Sequence, residues 1–197
     1  MDELKTLSGR RASQRADELL PFIDLLRREG VRSYLEVGAR HGDTFDLVAR
    51  ALPAGSRVVA VDLGGGPWGT PKSVAALRAA VAGLSDHDAH LILGDSTDPS
   101  VVAAVAALGP FDAILIDGDH RYDGVLTDWF NYGPMGRLVA FHDIVGEGQT
   151  TRDANAYPVE VPRLWAEIRN DRSLEFVGAG SAMGIGVMDR RFGAIVR

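Results

Sequence analysis

The chain has 197 residues, 46% hydrophobic and 24% charged, which is enough for one domain with a real core and far from the composition of a disordered chain. Its formal net charge of −6 argues against a general nucleic-acid binder, which carries a basic surface, and leaves room only for a local basic patch. Cysteine is absent, so disulfides and thiolate metal sites are excluded, as fits a reducing compartment.

The opening stretch MDELKTLSGRRASQRADELL begins acidic and has no apolar signal core, and no run of eighteen apolar residues follows anywhere. A cytoplasmic location without a membrane partner is the expectation. The first helical pattern, DELLPFIDLLRREG, puts Leu19, Phe22, Ile23 and Leu26 on one face and stops at Gly30, a C′ glycine. A β-rich run at 33–38 follows. DTFDLVARAL then takes Asp43 as its candidate N-cap, with Phe45, Val48, Ala49 and Leu52 at helical spacing.

The pattern then repeats. Apolar runs at 57–63, 89–95, 111–118 and 137–144 alternate with helical segments. PKSVAALRAAVAGL begins at Pro71. DPSVVAAVAALG has Asp98 at the N-cap, Pro99 at N1 and Gly109 beyond its end. YDGVLTDWF reads as a helix despite Gly124, and VPRLWAEIRN as the last one. The runs are apolar without strict alternation, as in strands buried on both faces of a parallel sheet. Residues 174–179 and 184–190 form two more strands, too close together to be parallel. The fold class is therefore α/β: five βα units and a terminal antiparallel hairpin, with no repeat or linker to divide the chain.

In such a sheet, ligands bind beyond the carboxyl ends of the strands. Those ends read Glu36 with Gly38, then Asp62, Asp95, Asp117–His120, and His142 with Asp143. One such acid is ordinary as a turn former or cap; five on one edge ask for a ligand. In LEVGARHGDTF, Gly38 and Gly42 enclose three residues, which departs from the GxGxxG of dinucleotide sites and disfavours a pyrophosphate cradle. Asp62 stands where an acid accepts from both hydroxyls of a ribose, or else caps the following GGGPWG turn. Asp95, beside Ser96, either meets an adenine amino group or is a simple loop acid.

Together these residues resemble the class I S-adenosylmethionine-dependent methyltransferases, over roughly residues 31–190. ExGxxxG at 36–42, Asp62, GDS at 94–96 and the terminal hairpin carry the likeness. It implies a Rossmann-like open sheet of seven strands, mostly parallel, with an antiparallel C-terminal hairpin and helices on both faces. It also implies one methyltransferase domain over 1–197, with an N-terminal helical segment at 1–30. S-adenosylmethionine would lie along Glu36, Gly38, Ala39, Arg40, His41 and Gly42. Asp62 and Leu63 would meet its ribose, Asp95 and Ser96 its adenine, and Asp117 its reactive end.

LIDGDHRYDGVLTD followed by GRLVAFHDI is similar to the small O-methyltransferases that include catechol and macrocin O-methyltransferases and cephalosporin-tailoring relatives. By that likeness Asp117, His142 and Asp143 would hold a divalent metal, and His120 would be the general base for a substrate hydroxyl. The chain departs from the pattern in its His-Asp pair on the fifth strand and in an imidazole base where the catechol enzymes have lysine. Imidazole favours Mn²⁺ or another transition metal over Mg²⁺. If His142 points away, Asp117 with Asp143 or Asp119 holds Mg²⁺. A metal-free site, with Asp117 near the sulfonium and the histidines as walls, is the plainer reading.

The expected substrate is a small hydroxylated molecule, such as a sugar or a natural-product scaffold. The alternatives are an NAD-dependent oxidoreductase and a non-catalytic S-adenosylmethionine-binding module. His87 and His90 read as solvated loop positions, and Trp165 as core. Trp68 either folds over the ligand or packs on a helix. The polar stretch 145–162 reads as a substrate or lid loop, with Arg152 and Tyr157 as contacts. So little surrounds the core fold that a homodimer is the assembly it suggests.

Overall fold

The structure, a computed structural model, describes residues 14–65, 69–146, 151–152 and 158–192. Trp68, Tyr157 and the side chain of Arg152 lie outside the described residues. Helix α1 (Ala16–Arg28) leads into β1 (Ser33–Val37), α2 (Asp43–Ala51), β2 (Arg57–Asp62), α3 (Pro71–Ala82), β3 (Asp88–Leu93) and α4 (Pro99–Ala106). Then come β4 (Phe111–Ile116), α5 (Tyr122–Tyr132) and β5 (Gly136–His142). A short ribbon pairs β6 (Thr151–Arg152) with β7 (Pro158–Val159) before α6 (Val161–Ile168), β8 (Leu174–Phe176) and β9 (Ile185–Asp189). The ribbon has no counterpart in the sequence reading, because two-residue strands leave no periodicity.

The main sheet has seven strands in the order β3-β2-β1-β4-β5-β9-β8. β1 to β5 run parallel, and β9 lies antiparallel between β5 and β8. Alternate residues of each central strand feed two separate cores. Tyr34, Val58, Ala60, Ala113, Leu115 and Leu138 pack with Phe22 of α1, Phe45 of α2 and Leu77 of α3. Leu35, Val59, Ile114, Ile116, Val139 and Phe141 pack with Val105 of α4, Trp129 of α5 and Trp165 of α6. This two-sided burial explains why the strand sequences fail to alternate. Trp165 is indeed core, and its ring also donates a hydrogen bond to Glu175 at 2.7 Å.

Helix ends follow local chemistry. Asp98 caps α4 through the Ser100 amide, and Thr70 and Ser73 form a reciprocal capping box on α3. Asp43 is not the N-cap of α2: that position is Gly42, in the left-handed region at φ 79°, and Asp43 sits in the first turn, where its charge suits the helix dipole. Gly124 is tolerated inside α5 because the Asp119 side chain folds back over it, leaving no room for a Cβ.

Two histidines depart from expectation. The His87 side chain is buried, not solvated, and its Nδ1 has no hydrogen-bond partner. His90 lies within β3 and pairs with Asp88 at 2.8 Å. No helix among the described residues is long and apolar enough to cross a membrane.

Candidate functional site

β1 is hydrogen-bonded to β2 on one side and β4 on the other, so the chain reverses its order across the sheet at this strand. The carboxyl ends there diverge around a cavity of about 640 Å³, a size that suits a nucleoside-sized ligand. Glu36, Gly38, Ala39, Arg40, His41, Asp62, Leu63, Asp95 and Ser96 all line it, as do Asp117, His120, His142 and Asp143. Among the described residues expected at the site, Gly42 alone stands apart from the lining. A Cβ at that position would lie 2.9 Å from Leu77 and Ala80 of α3, so its glycine serves helix packing.

Gly38 likewise answers to the protein before any ligand. At φ 92°, a Cβ would fall 2.2 Å from the carbonyl oxygen of Asp117, so the glycine lets the tip of β4 cross close beside β1. The next turn is held from β2: Asp62 accepts the Arg40 amide at 2.7 Å and the Gly64 amide at 2.8 Å. Asp62 is therefore a turn organiser and a cavity-lining acid at once, with lone pairs left over on each oxygen. Asp95 accepts from the Thr97 amide and hydroxyl, and Tyr132 of α5 donates to the Ser96 carbonyl at 2.6 Å.

At the other end of the cavity, β4 and β5 bring four titratable groups together. Asp117 Oδ1 lies 3.4 Å from His120 Nε2 and 3.3 Å from His142 Nδ1. Asp143 faces the same two rings, at 3.6 Å from His120 and 3.3 Å from His142. Burial opposes charge on Asp117, but the imidazoles of His142 and His120 outweigh it and hold the carboxyl well below the usual range. Burial likewise opposes charge on both rings, yet the carboxylates win and raise both histidines, His142 the more strongly.

Asp143 adopts a left-handed backbone at φ 61°, an uncommon conformation for a residue with a side chain, and it does so where β5 ends. His120 is anchored through its carbonyl, which accepts the Glu160 amide at 2.7 Å, while the Glu160 carboxylate accepts the Tyr122 amide at 3.0 Å. His120 is the more open ring, with 21% of its side chain exposed against 7% for His142.

These groups fit a divalent cation by their chemistry. Ligand atoms of Asp117, His120 and Asp143 lie within 4.8 Å of one another, and His142 Nδ1 faces both carboxylates. The two imidazoles supply the nitrogen that borderline metals favour. The buried Nε2 of His142 has no hydrogen-bond partner, so its ring is oriented entirely from the carboxylate side.

Sequence reading missed two features. Gln14, from the segment ahead of α1, donates to Asp117 Oδ2 at 2.9 Å and lines the cavity. It lies 103 residues from its partner and belongs to no motif. Glu36 is buried, and burial pushes its carboxyl up to about 8 against the opposing hydrogen bond from the Tyr34 hydroxyl at 2.6 Å. The i, i+2 spacing of Tyr34 and Glu36 on one face of β1 was the available signal for that pair.

An open sheet of this order, with one antiparallel strand next to last and acids at the tips around its reversal point, is the class I methyltransferase fold. A family model described as a methyltransferase domain matches residues 35–144, more than half of the chain, and the chain belongs to that family. Among curated proteins none matches the sequence significantly. Solved structures do. An O-methyltransferase from Bacillus cereus, solved with S-adenosylhomocysteine, is 20% identical with a TM-score of 0.64, covering 96% of this chain and 87% of that one. Cofactor-bound Rv0187 from MTB is 19% identical with a TM-score of 0.67, covering 90% and 81%. The O-methyltransferase TomG of tomaymycin synthesis from Streptomyces achromogenes, solved with S-adenosylmethionine, is 19% identical with a TM-score of 0.64, covering 89% and 80%.

Proposed function

We propose that the protein transfers a methyl group from S-adenosylmethionine to a hydroxyl of a small molecule, with a divalent cation at the tips of β4 and β5. The observation that carries this reading is the convergence of Asp117, His120, His142 and Asp143 at one end of a cavity whose other end is lined by Asp62 and Asp95. The O-methyltransferases solved with this cofactor or its product support it.

When bound, S-adenosylmethionine supplies the methyl group on its sulfonium, and the chain's task is alignment. Asp62, already fixed by two backbone amides, would take the ribose hydroxyls, and Asp95 with Ser96 would border the adenine. Asp117, Asp143 and His142 Nδ1 would hold the cation, which as a Lewis acid favours loss of the hydroxyl proton. Mn²⁺ or a similar transition metal suits this nitrogen-containing set better than Mg²⁺. A cation on Asp117 and Asp143 would offset the carboxylates that favour charge on His120, leaving its Nε2 neutral to accept the substrate proton. A hydroxylated sugar or natural-product scaffold is the substrate class. With labelled S-adenosylmethionine and a panel of such molecules, the expected product is an O-methyl ether whose formation stops in EDTA. Methylation undiminished by EDTA would remove the metal from the scheme.

A second arrangement has one observation in its favour. The ligand atoms of Asp117, His120 and Asp143 converge within 4.8 Å, so His120 can be the third ligand, with His142 behind it. The two differ in one measurement. If His120 is the base, His120→Ala retains Mn²⁺ binding and His142→Ala loses it; the reverse result makes His120 the ligand.

A further inference from the structure

Asp117 has two carboxylate oxygens in different hands. Oδ1 faces the imidazoles of His120 and His142, while Oδ2 accepts a hydrogen bond from the side-chain amide of Gln14 at 2.9 Å. The chemistry fixes the orientation of that amide. An ionised carboxylate only accepts, so the Gln14 nitrogen must face it. The Gln14 oxygen is then turned to Thr44, whose hydroxyl donates to it from the first turns of α2. Gln14 and Thr44 are both buried, so water does not compete well for either bond.

Gln14 is itself held from behind. It directly precedes Arg15, the N-cap residue of α1. Glu18, fully buried in the first turn of α1, accepts the amides of Gly178 at 3.1 Å and Gly184 at 3.3 Å. Arg15 pairs with Asp17 at 2.8 Å and reaches the Ala179 carbonyl at 3.4 Å. The start of α1 is thereby tied to the β8–β9 connection, from which Met183 enters the same cavity.

We propose that Gln14 is a positioning residue for Asp117: by holding Oδ2, it sets the rotation at which Oδ1 meets the two imidazoles and the cation. The inference rests on the metal-binding reading above. It makes the segment ahead of α1 part of the site, and it assigns Thr44 a role only through Gln14.

The test is calorimetric titration of Mn²⁺ into the full chain saturated with S-adenosylhomocysteine, for wild type, Gln14→Leu, Thr44→Val and the double variant. Outer-shell partners of metal ligands are worth roughly ten- to a hundredfold in metal affinity, and Gln14→Leu should lose that much. Its affinity for S-adenosylhomocysteine in EDTA should change far less. Thr44→Val should lose less than Gln14→Leu, and the double variant no more than Gln14→Leu alone, because Thr44 acts through the amide. Three results would overturn the proposal: Gln14→Leu binding Mn²⁺ like a competent wild type, additive losses in the double variant, or Mn²⁺ and S-adenosylhomocysteine affinities falling together with the melting temperature. A wild type that binds S-adenosylhomocysteine but no Mn²⁺ removes the metal reading itself, and this proposal with it.

Discussion

At the amino ends of β1, β2 and β4, charged groups close on their nearest neighbours; at the carboxyl ends of the same sheet they face one another around a cavity. Asp112 Oδ2 accepts from the Arg32 amide, the Ser33 amide and the Ser33 hydroxyl at 2.9–3.1 Å, and Ser33 accepts the Asp112 amide in return. Arg57 pairs with Asp88 at 2.8 Å and donates to the Leu108 carbonyl. Such groups have their hydrogen-bonding capacity used locally, which favours stability. At the opposite end, Asp143 has a left-handed backbone, His142 has an orphaned Nε2, and carboxylates and imidazoles compensate each other at 3.3–3.6 Å. His87, just ahead of β3, is the exception at the amino side, with its buried Nδ1 unpartnered. Backbone strain next to an orphaned, compensated cluster is what a ligand site retains at a cost in stability.

Substitutions at the two ends should therefore fail differently. The largest effect is expected from Asp117→Ala, which removes one of the two carboxylates that both imidazoles face; Mn²⁺ binding should vanish from calorimetry and methyl transfer should fall to background. His120→Ala should lower the transfer rate by roughly a hundredfold or more while the protein still binds S-adenosylhomocysteine. At the amino end, Asp112→Ala should cost about 2 kcal/mol in urea unfolding, since two backbone amides lose their acceptor, yet leave S-adenosylhomocysteine affinity unchanged. A loss of cofactor affinity there would erase the contrast between the two ends.

A change of pH sharpens the comparison further. Asp128 of α5 is fully buried and lies close behind Gly118 of the cavity wall. Burial, against an opposing interaction with the Ser96 hydroxyl and with Asp119 and Asp95 adding, pushes its carboxyl up to about 7 from an ordinary 3.8. The folded state thus holds this proton more tightly than the unfolded chain. That contribution is fully present below about pH 4 and is lost as pH rises through about 7. Asp128→Asn should remove it, so the variant gains on wild type in urea midpoint between pH 5 and pH 8. A difference that does not change with pH would mean Asp128 is ionised throughout.

Much of this was legible in the sequence because strand ends announce themselves. Apolar runs that stop at Asp62, Asp117 and His142 marked both the elements and the edge where they meet. The hairpin followed from the short separation of its strands. What stayed hidden depends on contacts far apart in sequence. The reason for Gly38 is the Asp117 carbonyl passing beside it, which no local spacing encodes. Gln14 reaches Asp117 because α1 is docked on the sheet by its apolar face and, through Glu18, on the β8–β9 connection. His87 sits in a polar stretch that reads as solvated, and only packing buries its ring. Whether His120 is ligand or base likewise turns on distances of a few tenths of an ångström.

The central claim is that one cavity joins a cofactor end, around Asp62 and Asp95, to a cation end, around Asp117 and Asp143. Calorimetric titration of S-adenosylhomocysteine into EDTA-treated protein, followed by Mn²⁺ and Mg²⁺ into the complex, tests it most directly. The expected result is cofactor binding without metal, then a Mn²⁺ isotherm tighter than that for Mg²⁺ and absent from Asp117→Ala. Binding of S-adenosylhomocysteine with no response to either metal would contradict the cation end, and no binding of S-adenosylhomocysteine at all would contradict the account as a whole.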